Sequence, residues 1–188
     1  MSSNHSRTGR SRQRYDDDNG RRLIAGTIPF RFIRGEKVTE TERDETGRKE
    51  RTMTTMAEGI DNADNSEIEV LVISCRRKPN KRSFPKGGWE LDETAEEAAR
   101  RETLEEAGVS SAYALTPIPI VHYKSKSSPI GCTAHFFLMC VTEQLEKWPE
   151  DSVRMREWVS VEQAQDVLKD TWMKDILYEA VSRGVFFS

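Results

Sequence analysis

Hydrophobic residues fall into short runs along the chain, and the spacing within each run predicts strands and helices. Apolar residues dominate residues 23–33, and residues 68–75 form a nearly continuous β-branched run typical of a buried strand. Further strands are predicted at residues 112–122, 133–142 and 156–159. Residues 35–66 are acidic, rich in Thr and poor in large apolar residues, which indicates a flexible insertion between two strands.

Two helices carry their own boundary signals. Thr94 followed by Glu97 forms a capping-box pattern, and Gly108 suits the left-handed residue just past a helix end. Ser160 and Gln163 repeat the capping pattern at the start of a second helix, which we expect to run on to Gly184. The first helix has a face of helix-forming, mostly small residues, namely Ala95, Ala98, Ala99, Leu104 and Ala107. Strands first, one helix in the middle and one at the end together indicate an α+β fold.

The first helix also carries a row of acidic residues. Glu102, Glu105 and Glu106 are three and four residues apart, so they share one helical face. Like charges at this spacing destabilise a helix by a few tenths of a kcal/mol per pair, whereas a hard divalent cation would make the arrangement favourable. The Pro-Lys-Gly-Gly run at residues 85–88 breaks a strand and lets the backbone approach a metal or phosphate. A metal site and a solvated surface helix both fit these residues alone.

Spacing favours the metal site. After Gly87 come five residues and Glu93, then seven residues and the run RETLEEAGV at residues 101–109. This arrangement resembles the Nudix box of the Nudix hydrolases, with Thr103 where that family usually has a bulky aliphatic residue. The resemblance implies the Nudix α/β/α sandwich around a mixed sheet. It also implies hydrolysis of a diphosphate linked to another group.

The resemblance further implies a role for each residue of the box. Glu102 and Glu106 would be metal ligands, and Glu105 would be either a further ligand or the base that accepts the proton of the attacking water. The backbone carbonyl of Lys86 would be an additional ligand. Magnesium is the expected ion, with manganese as a substitute. The resemblance also implies three structural positions in the box, namely Glu93, Arg101 and Gly108. Arg101 would orient the glutamates through Glu93.

Segments outside the box resemble one branch of the family. The N-terminal RQRYDDDNGRRLIAGTIPFR, the basic loop at residues 124–127 and WPEDSVRMREW at residues 148–158 look like the diphosphoinositol polyphosphate phosphohydrolases, most of all the plant members. This branch also cleaves diadenosine polyphosphates, and the resemblance covers roughly residues 10–35 and 67–180. A highly phosphorylated small molecule suits arginine, which binds phosphate through bidentate hydrogen bonds. Candidate substrate contacts are Arg14, Arg21, Arg22, Arg76, Arg77, Lys86, Gly87, Gly88, Lys124, Lys126 and Arg154.

Composition sets the remaining expectations. For 188 residues with a net charge of −3 we expect a flexible basic arm at 1–19 and one domain at 20–184, interrupted by the insertion at about 35–66. Three cysteines without metal-type spacing indicate a reducing compartment. No apolar run reaches membrane-spanning length, and no basic run interleaved with aromatics suggests a nucleic-acid surface. We therefore expect a cytoplasmic monomer, with nuclear entry and a mitochondrial presequence left open.

Two other functions remain open. One is a Nudix hydrolase acting on ADP-ribose, NADH or an RNA cap. The other is a phosphate-binding regulatory module without catalysis, as arises when a Nudix fold loses its glutamates. All the glutamates of the box are present, which favours an enzyme.

Overall fold

The computed structural model describes residues 12–33, 68–76, 78–125 and 128–183. The strands in these ranges are β1 (Arg22–Phe32), β2 (Ile68–Cys75), β3 (Lys78–Ser83), β4 (Lys86–Gly88), β5 (Val109–Ser110), β6 (Thr116–Pro117), β7 (Val121–Ser125), β8 (Ser128–Cys140), β9 (Glu143–Gln144) and β10 (Arg156–Ser160). The helices are α1 (Ala95–Ala107), α2 (Val161–Val167) and α3 (Thr171–Ser182). The predicted insertion at 35–66 and Gly184 lie outside the described residues.

Eight of the described strands form one mixed sheet. β1 lies at its centre, parallel to β8 and antiparallel to β2 and β4. β10 and β3 pair with β2, while β6 and β7 pair with β8. β5 and β9 form a separate antiparallel pair. This arrangement confirms the predicted α+β class with a mixed sheet.

Helices cover both faces of the sheet. Successive side chains of a strand point to opposite faces, so Ala25 of β1 faces one layer and Ile28 the other. On the first side Ala25 packs with Ala98 and Ala99 of α1, all fully buried, and these small side chains let the helix lie close to the sheet. On the second side Ile28 belongs to a larger core that includes Leu177 of α3. No helix in the described ranges is long and apolar enough to cross a membrane.

The strand predicted at residues 112–122 was wrong in extent. Only the two-residue β6 and the start of β7 are extended and paired there. Pro117 and Pro119 lack the N–H that a ladder needs, so pairing cannot continue through this segment. The apolar residues still enter the core, since Leu115 and Ile118 are buried without belonging to a long strand.

The second helix is broken where a single helix was predicted. The Ser160–Gln163 capping box is present, but α2 ends at Val167 and the next residue, Leu168, is extended. Leu168 is fully buried and lies beside Arg82 of β3, so its place in the core requires the chain to leave the helix. α3 then begins after Asp170.

The predicted glycine loop before α1 is a short strand. Gly87 lies opposite Ala25, and Gly88 lies opposite Ile24, in an antiparallel ladder with β1. The prediction of a loop was wrong because glycine is unfavourable in strands only on average, and here a neighbouring carboxylate requires its small size. β4 therefore holds the residues before α1 against the central strand.

Candidate active site

Helix α1 begins and ends at its predicted caps. The Thr94 hydroxyl accepts a hydrogen bond from the N–H of Glu97, and the Glu97 carboxylate accepts one from the N–H of Thr94. At the other end Gly108 has φ of 65°, and its N–H donates to the carbonyl of Leu104. Both caps are confirmed, and they set which helical positions face the sheet.

The three glutamates of α1 are shielded from solvent. The exposed fraction of the side chain is 14% for Glu102 and 11% for both Glu105 and Glu106. Burial raises the pKa of Glu102 to about 7, although the Arg101 charge acts in the opposite direction. Burial also raises the pKa of Glu106. Because burying a carboxylate is costly, these side chains need cationic or hydrogen-bonding partners.

The Glu102 carboxylate lies directly against the backbone of β4. A Cβ added to Gly87 would be 2.1 Å from both Cδ and Oε2 of Glu102, a separation that real Cβ atoms essentially never show. The ladder with β1 fixes the position of Gly87, so the backbone cannot easily withdraw. Glycine at this position therefore makes room for the carboxylate.

Arg101 links the loop before the helix to the first glutamate. Its Nε and Nη2 donate to the two carboxylate oxygens of Glu93 at 2.9 and 2.7 Å, and Nη1 donates to Glu102 Oε1 at 2.7 Å. Nη2 also donates to the carbonyl of Gly88 at 2.9 Å. Burial would lower the pKa of Arg101, but hydrogen bonds and charges from Glu93 and Glu102 outweigh it and raise the pKa. The guanidinium therefore stays charged and holds Glu102 in place.

A second arginine reaches the glutamates from a distant segment. Arg154 Nη2 donates to Glu106 Oε1, Nε donates to Glu150 Oε2, and Nη1 donates to the carbonyl of Ser74 at 3.0 Å. The other oxygen of Glu106, Oε2, accepts the backbone N–H of Lys86 at 2.9 Å. Arg154 was predicted as a substrate contact, and in this structure its guanidinium is engaged by protein groups.

The segment around Arg154 also holds the C-terminal end of α1. Trp148 Nε1 donates to the carbonyl of Glu106 at 3.2 Å, and Arg156 Nη1 donates to the carbonyl of Ala107 at 2.9 Å. The Arg156 guanidinium lies 4.1 Å from the centre of the Trp148 ring. Helix ends leave carbonyls without intrahelical partners, and a cation is favourable there. The stretch that resembles a substrate-recognition segment thus supports the acidic helix as well.

The donor set at this site fits a hard divalent cation in its chemistry. Within the described ranges no group of three or more His, Cys, Asp or Glu residues converges closely enough to hold a metal ion. Instead, Arg101 and Arg154 lie among the carboxylates of Glu102 and Glu106. Two buried carboxylates beside a backbone strand still offer only oxygen ligands, which is what magnesium and similar ions prefer.

The other predicted basic contacts lie on separate segments of the chain. Arg22 Nε donates to Gln13 Oε1 at 2.6 Å, and Arg76 Nη1 lies 3.9 Å from Glu150 Oε1. Arg14 Nη2 donates to the carbonyl of Leu91 at 2.8 Å. Arg21 directly precedes β1, and Lys124 is exposed on β7, away from these contacts in the chain. Arg77 and Lys126 lie outside the described residues.

Gln13 is a central residue that sequence reasoning missed. Its side chain is buried, and its Nε2 donates to the carbonyls of Leu23 and Trp89 at 2.8 and 3.1 Å. Its Oε1 accepts from Arg22 and lies 2.4 Å from where a Cβ on Gly88 would be. Gln13 thereby fastens the N-terminal segment to β1 and β4, and no local pattern around it marks this role.

A separate cleft of about 720 Å³ opens beside Trp89. Its walls include Arg14, whose guanidinium lies 4.9 Å from the Trp89 ring centre, and His135, whose ring meets Trp89 edge-on at 5.2 Å. His122 Nδ1 lies 3.0 Å from Thr133 Oγ1 on the same wall. None of the predicted metal ligands lines this cleft. Trp89 is two residues beyond Gly87, so the cleft adjoins the acidic site without being part of it.

The fold is a mixed sheet between helices, with a row of buried glutamates on α1 next to the glycine-containing strand β4. The sequence profile of the NUDIX domain matches residues 56–180. "Nudix hydrolase 12, mitochondrial" of Arabidopsis thaliana is 41% identical over 187 residues, covering 95% of this chain and 81% of that protein. The chain therefore belongs to the Nudix family and is a Nudix hydrolase, and members of this family generally use divalent metal ions. β1 lies before the matched range yet forms the centre of the same sheet.

Three further proteins are similar to this chain in sequence or in fold. "Diphosphoinositol polyphosphate phosphohydrolase 3-alpha" of Mus musculus is 38% identical over 106 residues, covering 55% of this chain and 62% of that protein. The crystal structure of a C. elegans Ap4A hydrolase binary complex has a TM-score of 0.57 at 18% identity, covering 87% of this chain and 98% of that one. The NUDIX domain of Shewanella oneidensis NrtR, solved with ADP ribose, has a TM-score of 0.58 at 14% identity and covers 90% and 93%. The structural likenesses confirm the Nudix fold.

Proposed function

We propose that this Nudix hydrolase cleaves phosphoanhydride bonds in diphosphoinositol polyphosphates and diadenosine polyphosphates, with Mg²⁺ as the ion and Mn²⁺ as a substitute. The observation that carries the proposal is the pair of buried carboxylates, Glu102 and Glu106, held against β4 by two arginines. A buried acidic pair is costly to keep, and cation binding is the function that explains it best.

The ligands of the cation would be Glu102, Glu105, Glu106 and the backbone carbonyl of Lys86. A bound divalent cation neutralises charge on the phosphate oxygens and lowers the pKa of bound water. Glu105 is buried on the same helical face, and either coordinates the cation or accepts the proton of the attacking water. Which of these two roles it has decides whether its loss reduces metal affinity or turnover.

The chain's own contacts organise these carboxylates. Arg101 keeps the carboxylate of Glu102 oriented through its hydrogen bond and its anchor on Glu93. The N–H of Lys86 holds one oxygen of Glu106, so the ladder between β4 and β1 sets the position of that carboxylate. Ligands positioned before binding lose less entropy when the cation arrives, which strengthens binding.

The basic residues around β4 support a polyanionic substrate. Arg22 and Arg76 come from separate segments: Arg22 lies beside Gly88, and Arg76 lies 3.9 Å from Glu150, the glutamate that also binds Arg154. Arginines from several segments suit a molecule with many phosphates better than one with a single diphosphate. The mouse phosphohydrolase acts on diphosphoinositol polyphosphates by its name, and its similarity to part of this chain supports the same substrate class.

The cleft beside Trp89 supports the dinucleotide part of the proposal. An indole, an imidazole and a guanidinium line it, and each of these groups can contact the face or edge of a base. The ADP-ribose complex of a protein with the same fold keeps ADP-ribose, NADH or an RNA cap as the alternative substrates.

The test is chromatographic analysis of the phosphorylated products formed from a panel of inositol pyrophosphates, diadenosine hexaphosphate, ADP-ribose and NADH, with Mg²⁺, with Mn²⁺ and with EDTA. We expect turnover of the first two, dependent on the cation and absent in Glu106→Gln. Preference for ADP-ribose or NADH would contradict the proposed substrates and would leave the cation-dependent hydrolysis of a phosphoanhydride bond standing. Binding of polyphosphate without turnover of any compound would favour the regulatory-module alternative.

The compartment and domain limits belong to the same proposal. Several Arabidopsis relatives carry "mitochondrial" in their names, including one 40% identical over 179 residues. We also propose a monomer with a domain at 20–184. The cytoplasmic expectation is tested by imaging fluorescent fusions of the full chain and of a chain lacking residues 1–11. Import that requires the first segment would contradict the cytoplasmic expectation.

A further inference from the structure

Arg154 is engaged through its whole guanidinium near the acidic helix. Its side chain is 11% exposed, and all three of its nitrogens donate to protein oxygens: Glu106 Oε1, Glu150 Oε2 and the carbonyl of Ser74. Burial would lower the pKa of Arg154, but Glu106 and Glu150 raise it overall, so the guanidinium remains charged. With these partners in place, a substrate phosphate could reach only the second N–H of Nη1 or of Nη2.

The two carboxylate oxygens of Glu106 have partners that differ in how easily they can move. Oε2 accepts the N–H of Lys86, and that backbone group is fixed because Lys86 pairs with Gly26 in the ladder of β4 and β1. Oε1 accepts from Arg154, whose side chain can rotate about several bonds. A second carboxylate, that of Glu150, also accepts from this arginine. Of the two, the Arg154 contact is the one that can be exchanged without moving the backbone.

We propose that Arg154 is a positioning residue that acts as the exchangeable counter-ion of Glu106, giving up Oε1 to a divalent cation while Glu150 and the Ser74 carbonyl retain the guanidinium nearby. This inference rests on the proposed function, because it requires Glu106 to be a ligand of the cation. It differs from the prediction that Arg154 is simply a substrate contact.

Charge explains why such an exchange would matter. A cation that takes Oε1 leaves the positive charge of Arg154 a few ångströms away, so the two repel each other. Cation binding is then weaker than the glutamates alone would give. A substrate phosphate that accepts the freed Nη2 removes this repulsion, and linkage requires that phosphate and cation then favour each other's binding. Arg101 differs in that a single carboxylate, Glu93, accepts from two of its nitrogens.

The experiment measures the affinity of the full chain for Mn²⁺ alone, from the paramagnetic resonance signal of the free ion. Arg154→Gln removes the competitor, so we expect its Kd for Mn²⁺ to fall by about fivefold or more. Arg154→Lys keeps the charge but lacks the fork that reaches three oxygens, so its Kd should lie between those of Arg154→Gln and the unaltered chain. Thermal unfolding with and without Mn²⁺ gives a second readout, in which the ion should raise Tm more for Arg154→Gln.

Arg76→Gln is the matched control. Arg76 lies 3.9 Å from Glu150 with its side chain 60% exposed, so its replacement removes one nearby positive charge without touching Glu106. Equal tightening in Arg76→Gln and Arg154→Gln would reduce the effect to general electrostatics and overturn the inference. Unchanged or weaker Mn²⁺ binding in Arg154→Gln would also overturn the inference. If Arg154→Gln does not fold, unchanged or weaker Mn²⁺ binding in Arg154→Lys would overturn it.

Glu106→Gln separates failure of the inference from failure of the proposed function. We expect this variant to bind Mn²⁺ at least about tenfold more weakly, the scale for disturbing the ligands of a metal site. Unchanged binding in Glu106→Gln would remove Glu106 from the ligand set, and the proposed function and the inference would then fail together. Weaker binding there with no effect of Arg154→Gln would leave the proposed function standing alone.

Discussion

Arg101 and Arg154 approach the same row of glutamates from its two ends, and they differ in where their partners come from. Every side-chain hydrogen bond of Arg101 joins residues at most 13 positions apart. Arg154 reaches Glu106 across 48 positions and Ser74 across 80. Arg101 is therefore part of a local unit, whereas Arg154 is present only because distant strands assemble around the helix.

The difference teaches how one acidic site can be both stable and responsive. Arg101 grips Glu93 with two nitrogens, so Glu102 is held by an arginine that is itself anchored. Arg154 is divided between two glutamates and one carbonyl. We expect variants at the Arg101 end to change the architecture of the site, and variants at the Arg154 end to change its response to the cation.

The largest effect is expected from the glutamates that the two arginines hold. Glu102→Gln and Glu106→Gln should each lower kcat by on the order of a thousandfold, because loss of a cation ligand removes several kcal/mol of transition-state stabilisation. The measurement is Mg²⁺-dependent phosphate release from an inositol pyrophosphate at saturating concentration. Glu146→Gln, at an exposed position, is the control and should keep the original rate. A rate near the original for either site variant would remove that glutamate from the ligand set.

The next effect separates the two arginines by stability. Arg101→Gln leaves the carboxylates of Glu93 and Glu102 buried without their counter-ion, and removing one partner of a buried pair costs about 3–5 kcal/mol. Urea unfolding in EDTA measures this loss. Mn²⁺ should restore little of it, because Glu93 lies outside the proposed ligand set. If Mn²⁺ restored the full stability of Arg101→Gln, the proposed difference between the Arg101 and Arg154 ends of the site would be wrong.

A smaller effect tests the packing of the helix between the two arginines. The Thr103 hydroxyl lies 2.7 Å from the Thr27 hydroxyl of β1 and donates to the carbonyl of Ala99 at 2.7 Å. Thr103→Val leaves the buried Thr27 hydroxyl without this partner and should cost about 1–3 kcal/mol. The double variant Thr27→Val with Thr103→Val should recover most of the loss, since replacing both partners is nearly neutral. If the losses of unfolding free energy in the two single variants added up in the double variant, the contact between Thr27 and Thr103 would be contradicted.

A further effect is the pH dependence of stability at the Arg101 end. The pKa of Glu102 is raised from 4.5 to about 7, so the folded state holds this proton more tightly than the unfolded chain does. Its contribution to stability in EDTA is therefore full below the unfolded pKa and is lost as pH rises towards 7. The free energy of unfolding of Glu102→Gln should fall less between pH 5 and pH 8 than that of the unaltered chain. Equal or steeper loss in the variant would show that Glu102 does not titrate in this range.

Local signals in the sequence predicted the elements that local physics controls. The capping boxes at Thr94 and Ser160 and the left-handed Gly108 depend on groups within four residues, and all three are present. The strand at Ile68–Cys75 was predicted with its observed limits, since a nearly continuous β-branched run is typical of a buried strand. The row of glutamates followed from helical spacing in the same way.

Elements that depend on distant partners were predicted less well. Leu104 was assigned to the apolar face of α1, yet it is 38% exposed, while Thr103 is buried by pairing with Thr27. The break at Leu168 arises from its place beside β3, and the strand at β4 from its ladder with β1. In each case the side chain's environment is set by a segment far away in the sequence.

The amino-acid sequence by itself determined the family, the capped acidic helix and the glycine next to it, because helical periodicity, caps and box spacing act within about twenty residues. The tertiary structure alone decided that Arg154 reaches Glu106, that Gln13 fastens the N-terminal segment, and that Arg156 covers the end of α1. These contacts join segments that meet only through the register of a mixed sheet with β1 at its centre. Register depends on how many side chains pack at once, and no short stretch of sequence records that.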